Sequence, residues 1–349
     1  MPATARQRSG AGILKPPSAS IRPIRIAGAI LATIFAAVAD PAKAESCFRR
    51  AVELGPAIPP VLVRAANYHL GPGNIGEALP LFARVLSLVA VYDNIVFSTY
   101  RRFEIPLDEV LRWGLPDDPR ARRAWFTDLA SWAEPGAAAK GWRMLAERGL
   151  ADEASAGAYV RLLWNRGQYP EAVRIWSHVV GLRAGDYPAS NLVYNGGFEQ
   201  EISGTPLDWR ITAASGASVA RDPEVAHEGG ASLRVEFDGK TNLAFHHVSN
   251  VAFLPAGRYR FQAMLRTSDL TTDQGVYLRV AGEAPSSGLD ERTPAVQADS
   301  EWTESSRLFE VREPGAAVRV ELRRDPSPDM QSRVGGLVWL DAVSIQPVP

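Results

Sequence analysis

The sequence predicts an α-helical solenoid over residues 41–187, followed by an antiparallel β-sandwich over residues 188–349. Three observations predict this division. Residues 41–187 carry apolar side chains at three- and four-residue spacing, the period of a helix buried along one side. Within that stretch a small–aromatic–small pattern recurs: Ala44, Phe48 and Ala51 return as Ala78, Phe82 and Val85, 34 positions later. Near residue 190 the spacing changes to every second residue, the period of a strand with one face buried and one wet. A chain of 349 residues accommodates two domains at roughly 100–200 residues each.

Residues 1–40 come first and read as an address. Arg6, Arg8, Lys15, Arg22 and Arg25 make the first part basic, and the uncharged run Ile26–Ala39 follows, closed by Asp40. A basic segment before a short apolar one is the pattern of a signal sequence or a short membrane anchor. A 14-residue helix reaches about 21 Å, less than a ~30 Å hydrocarbon core, so an ordinary transmembrane helix is not expected. Ala42-Lys43-Ala44 offers a small-x-small cleavage site. The expected location is therefore the cell envelope, periplasmic or held to the inner membrane, with membrane contact only through this segment.

Composition narrows the function. A formal net charge of −1 gives no global field for nucleic acid. One Cys excludes a disulfide framework and Cys-rich metal sites. His69 and His178 stand alone in helical sequence, and no H-E-x-x-H, P-loop or G-x-S-x-G pattern occurs. Gly71-Pro-Gly73-Asn-Ile-Gly76 matches G-x-G-x-x-G, but helical sequence precedes it where a dinucleotide site needs a strand. It reads as a helix–helix turn. No catalytic residue is expected.

In the helical half, Ala44, Phe48, Ala51 and Pro56 fit the spacing A-x3-F-x2-A-x4-P; the second copy ends at Ala90, and Gly167-Gln-Tyr169-Pro-Glu-Ala172 with Trp176 and Val179 forms a third. These residues resemble the tetratricopeptide repeat, which implies stacked helix pairs that hold a protein partner. Trp113, Trp125, Trp132 and Trp142 are expected to pack between divergent helices of residues 91–160.

In the second half, strands are expected around Leu233–Phe237, Tyr259–Leu265, Val276–Val280 and Val318–Leu322, separated by Gly, Pro, Asp and Ser turns. The stretch opens with Asn195-Gly-Gly-Phe198-Glu199 and Trp209, continues with His227-Glu-Gly-Gly-Ala-Ser232-Leu233-Arg234, and closes with Trp339-Leu-Asp341-Ala-Val343. This resembles the galactose-binding-like jelly roll, and within it the bacterial carbohydrate-binding modules. The resemblance implies a polysaccharide or oligosaccharide ligand and a structural calcium ion held through Glu199 and Asp341. In the plainer reading those two carboxylates cap turns. The outward phase of the strands, and the unusual run Phe245-His246-His247, put Phe245, His246, His247, Arg266, Tyr277 and Arg279 forward as ligand-binding residues; in the plainer reading Phe245 is core and the two histidines sit on an edge strand. Phe198, Trp209, Tyr259, Trp302 and Trp339 read as core.

Together these readings describe a non-catalytic, exported envelope protein of surface-polysaccharide assembly or export, its repeats holding a protein and its sandwich a glycan. The alternatives are a scaffold whose sandwich binds no sugar, and a glycan-active enzyme whose carboxylate pair is spatial and invisible in sequence.

Overall fold

The structure, a computed structural model, describes residues 40–271, 273–284, 287–312, 314–329 and 333–349. The expected signal sequence or anchor thus lies outside the described residues, apart from Asp40. No described helix is long and apolar enough to cross a membrane. The chain divides into two units, Met1–Leu129 with Arg143–Leu145, and Ala130–Trp142 with Ala146–Pro349.

The first unit is helical. Helix α1, Pro41–Leu54, begins where the Asp40 side chain accepts from the amide of Lys43, an N-cap that satisfies one orphan donor. It buries Ala44, Phe48 and Ala51. Helix α2 spans Pro59–Leu70 and α3 spans Ile75–Leu88, which buries Ala78, Phe82 and Val85. The 34-residue echo is therefore one helix face used twice. The glycine-rich match is the α2–α3 turn, with Gly73 at φ +85°. Helix α4 covers Asp93–Arg102, and Leu107–Glu109 runs on into a π turn, Val110–Gly114. Helix α5, Pro119–Trp132, closes the first unit at Leu129, and α6, Pro135–Glu147, belongs to the second unit except for Arg143–Leu145. Trp125 and Trp142 are buried as expected, whereas Trp113 and Trp132 are half exposed. Trp113 sits in the π turn under the Arg112 guanidinium, and Trp132 is the last residue of α5.

The second unit holds α7, Glu153–Asn165, α8, Tyr169–Val180, and the sandwich. Its strands are β1 Arg210–Ile211, β2 Ala217–Asp222, β3 Ser232–Asp238, β4 Phe245–Leu254, β5 Gly257–Ser268, β6 Tyr277–Gly282, β7 Asp290–Arg292, β8 Ser300–Val311, β9 Ala316–Arg324 and β10 Gly335–Pro347. The first sheet runs β1-β4-β9-β6-β7 and the second β2-β3-β10-β5-β8, all pairs antiparallel. Without β1 and β2 at the edges, the orders β4-β9-β6-β7 and β3-β10-β5-β8 are the two interleaved Greek keys of a jelly roll.

The alternation in the sequence becomes the inter-sheet core. Leu233, Val235, Phe261, Leu265, Leu278, Val280, Val320 and Leu322 all face inward and are buried. The opening motif is a tight turn built around Trp209, whose ring lies 5.0 Å from that of Phe198 and whose indole N–H donates to the Asn195 carbonyl. Asn195 and Phe198 adopt φ +53° and +55°. Gly196 is needed because a Cβ there would overlap the carbonyl oxygen of Val343 in β10, while the Val343 amide donates to the Gly196 carbonyl. The two ends of the sandwich are joined at this point. Gly196→Ala should therefore cost about 1–3 kcal/mol in a denaturant titration. Gly136→Ala, where a Cβ in α6 meets nothing within 4 Å, should not destabilise. Equal stability of the two variants would contradict this joint.

Candidate functional site

A cleft in the second unit lies on the outer face of the first sheet, with α7 as one wall. Its cleft of about 570 Å³ is lined by Arg161, Trp164 and Asn165 of α7, Thr205 and Asp208 of the preceding loop, Arg210 of β1, Ser249 and Val251 of β4, Glu283 after β6 and Arg319 of β9. Helix α7 starts with a reciprocal capping box between Asp152 and Ser155. Gly157, Arg161 and Trp164 follow at four- and three-residue spacing, so they share one helix face. Gly157 lets that face come close: a Cβ there would lie 3.3 Å from Thr205 Cγ2.

Two anchors fix the wall. The indole N–H of Trp164 donates to Glu283 Oε2 at 2.8 Å, and Arg319 Nη2 donates to Glu283 Oε1 at 2.8 Å. Tyr169 of α8 stacks on Phe253 of β4 with centroids 5.5 Å apart and meets Trp164 edge-on at 4.8 Å. The loop that forms the opposite rim is held by Asp208, which is buried. Its Oδ2 accepts from the amide and hydroxyl of Ser203, and its Oδ1 from the Trp209 amide and Asn195. Both carboxylates of the cleft are thus committed. Arg161 and Arg210 are exposed and have no ion-pair partner among the described residues.

Across the same face, Arg210, Ser249, Glu321, Arg279 and Arg292 are successive backbone partners on β1, β4, β9, β6 and β7. Here the sequence-predicted residues separate. His247, Tyr277 and Arg279 lie on this face. Arg279 is already neutralised: it donates to both oxygens of Asp290, at 2.7 and 2.9 Å, and to Glu321 at 3.1 Å. Those hydrogen bonds hold the Asp290 carboxyl below its ordinary range and raise the Arg279 guanidinium. Tyr277 is buried, donates to Asp325 Oδ2 at 2.9 Å and lies under Arg292, so its ring offers no platform. His246 stacks on His247 at 4.7 Å, and burial, then the neighbouring imidazole, lowers the His247 pKa, keeping it neutral at pH 7. Phe245 points inward and is fully buried against Phe237. Arg266 stands on the second sheet, over the Trp339 ring and 3.7 Å from Glu301. The six residues therefore do not form one surface. Of the aromatics expected in the core, Phe198, Trp209, Tyr259 and Trp339 are buried, and Trp302 is half-buried with its ring edge-on to His227.

Glu199 and Asp341 reach the same turn from opposite ends of the sandwich. Asp341 sits where β10 bulges, fully buried, accepting from the amides of His227 at 2.8 Å, Glu228 at 3.2 Å and Ala342 at 2.7 Å. Glu199 accepts from the Gly230 amide at 2.9 Å. Burial raises the Asp341 pKa against these hydrogen bonds. Neither carboxylate has a Lys or Arg partner among the described residues, and no group of three or more His, Cys, Asp and Glu side chains gathers there into a metal site. The pair is hard oxygen with no Lys or Arg beside it, a donor set that suits calcium if carbonyls complete it.

No known protein family matches the chain, and no curated protein does. Among solved structures, the sandwich is similar to the CBM22-1 xylan-binding domain of Paenibacillus barcinonensis Xyn10C, at 16% identity over 44% of this chain and 92% of that one, TM-score 0.32. A family 16 carbohydrate-binding module matches at 16% identity over 44% of this chain and 99% of that one, TM-score 0.33. The enzymatically active domain of tailspike protein 4 from bacteriophage CBA120 matches at 12% identity over 45% and 21%, TM-score 0.35. At these values the likeness decides no ligand, and the jelly roll rests on its own strand order.

Sequence reasoning missed Arg161, Trp164, Arg210 and Glu283. Arg319 was visible in the outward phase of β9, and Gly157, Arg161 and Trp164 share a helical face. Nothing local, however, joins residue 164 to residue 283, 119 positions away.

Proposed function

We propose that the protein binds a polysaccharide chain in the cleft between α7 and the outer face of the first sheet, without performing chemistry on it. The observation that carries this reading is the cleft itself. Its volume of about 570 Å³ lies within the range of small-molecule sites, and an aromatic wall stands beside guanidinium, amide and hydroxyl groups that can meet sugar hydroxyls. Its two carboxylates support the non-catalytic reading, because Glu283 and Asp208 are both held by hydrogen bonds and neither is poised as acid or base.

The wider reading goes with it. The helices of the first unit would hold a protein partner, supported by a groove of about 310 Å³ lined by Glu45, Arg49, Glu53, His69, Glu77 and Arg84, and by the exposed apolar residues Leu88, Val91 and Ile95. The echo of α1 in α3 supports a tetratricopeptide-like use of these helices. Residues 1–40 would deliver the chain to the envelope, and surface-polysaccharide assembly or export is the process this combination suits.

Electrophoresis of the full chain through gels containing single polysaccharides tests the reading. At least one glycan should retard the protein, Trp164→Ala should lose most of that retardation, and Arg266→Ala on the second sheet should keep it. No retardation by any glycan would overturn the proposal, and equal retardation of both variants would overturn the cleft as its site.

A calcium ion at Glu199 and Asp341 belongs to the same proposal, supported by two carboxylates at one turn with no Lys or Arg partner among the described residues. The thermal midpoint of the full chain should rise in calcium over chelator by about 2–4 °C, the effect of ~1 kcal/mol on a domain of this size. Glu199→Gln should abolish the rise. An unchanged midpoint would leave the two carboxylates as turn caps.

A further inference from the structure

Resting on that reading of the cleft, we propose that it selects a glycan carrying carboxylate groups, a uronic-acid chain, over a neutral one. Arg161, Arg210 and Arg319 line the cleft, opposed by Glu283 and Asp208. Arg319 is matched by Glu283, and Asp208 is enclosed by the Ser203, Asn195 and Trp209 groups it accepts from. Two exposed guanidinium groups remain, one on the helix wall and one on the edge strand, and neither has an ion-pair partner among the described residues. Elsewhere on this sheet face the guanidiniums are ion-paired: Arg279 with Asp290 and Glu321, Arg292 with Asp325, Arg323 with Glu321. The unmatched pair is thus confined to the cleft.

A guanidinium presents parallel N–H donors whose spacing fits the two oxygens of a carboxylate, and such charge-assisted pairs are roughly twice as strong as neutral hydrogen bonds. The flanking groups are uncharged. Asn165, Thr205 and Ser249 offer amide and hydroxyl partners for sugar hydroxyls, and Trp164 gives an apolar surface. Two unpaired guanidinium groups on different elements, in one cleft with uncharged polar groups, fit a sugar chain that carries acid groups. Arg161 and Arg210 bind the carboxylates, while Glu283 acts as a positioning residue that keeps Arg319 and Trp164 in place.

The test compares polygalacturonate and alginate with their carboxyl-reduced counterparts, and with dextran sulfate, titrated into the full chain by calorimetry at moderate ionic strength. At least one uronate polymer should bind tenfold or more tightly than its carboxyl-reduced form. Arg161→Ala and Arg210→Ala should each weaken that binding about tenfold, while Arg50→Ala on α1 should not. Equal binding of acidic and reduced polymers would overturn the selectivity and leave the glycan site standing. Binding of no glycan would overturn both. Uronate binding untouched by Arg161→Ala and Arg210→Ala would move the acid contacts out of the cleft and overturn the assignment. Dextran sulfate binding as tightly, with the same dependence on the two arginines, would reduce the effect to general anion attraction and overturn the carboxylate class.

Discussion

The carboxylate of Glu283 takes the indole N–H of Trp164 on one oxygen and the guanidinium of Arg319 on the other. It thereby ties a helix to the outer face of a sheet. Without that tie the face would be an open polar surface, its charges balanced row by row across the strands. With it, α7 stands as a wall and a cleft forms between helix and sheet. Both bonds are open to solvent, where such a pair contributes about 0–1 kcal/mol, so the clamp sets geometry more than stability. The close approach at Gly157 and the Tyr169–Phe253 stack make the same contact from either side. The wall is therefore over-determined, which a binding site needs if it is to be shaped before its ligand arrives.

The jelly roll supplies the rigid floor. Its outer face carries polar side chains because its inner face is filled by valine, leucine and phenylalanine at alternate positions. The pleat that sends Val320 and Leu322 inward sends Arg319, Glu321 and Arg323 outward. Most of those outward charges cancel locally. Where the helix wall meets the edge strand, the cancellation stops, and Arg161 and Arg210 are left facing the cleft. Selectivity would then follow from where the charge network ends rather than from any single unusual residue.

The fold was largely legible in the sequence. The period of two reported the strands, the period near 3.6 the helices, and the N-G-G-F-E and W-L-D-A-V motifs the two ends of the sandwich that Gly196 and Asp341 join. These signals are local, or depend on backbone geometry that only certain residues permit. The site was legible only in part. Outward phase put Tyr277 and Arg279 on the correct face, but phase cannot show that Asp290, Glu321 and Asp325 already occupy them. Phe245, beside two histidines, could be read as platform or as core, and it is core because the pleat turns it inward. Arg266 shared the outward phase of its strand yet belongs to the other sheet, and sheet membership is set by strand order. Arg161 and Trp164 carried no mark, because their role depends on contacts between distant parts of the chain.

A glycan held between α7 and the first sheet would shield the backbone amides there, which amide hydrogen exchange on the full chain reads with and without a retained polysaccharide. Protection should rise in residues 161–165, in the 203–210 loop and edge strand, and around Ser249–Val251, with little change around Arg266 and Glu301. Protection confined to the second sheet, or to the helices of the first unit, would contradict that placement.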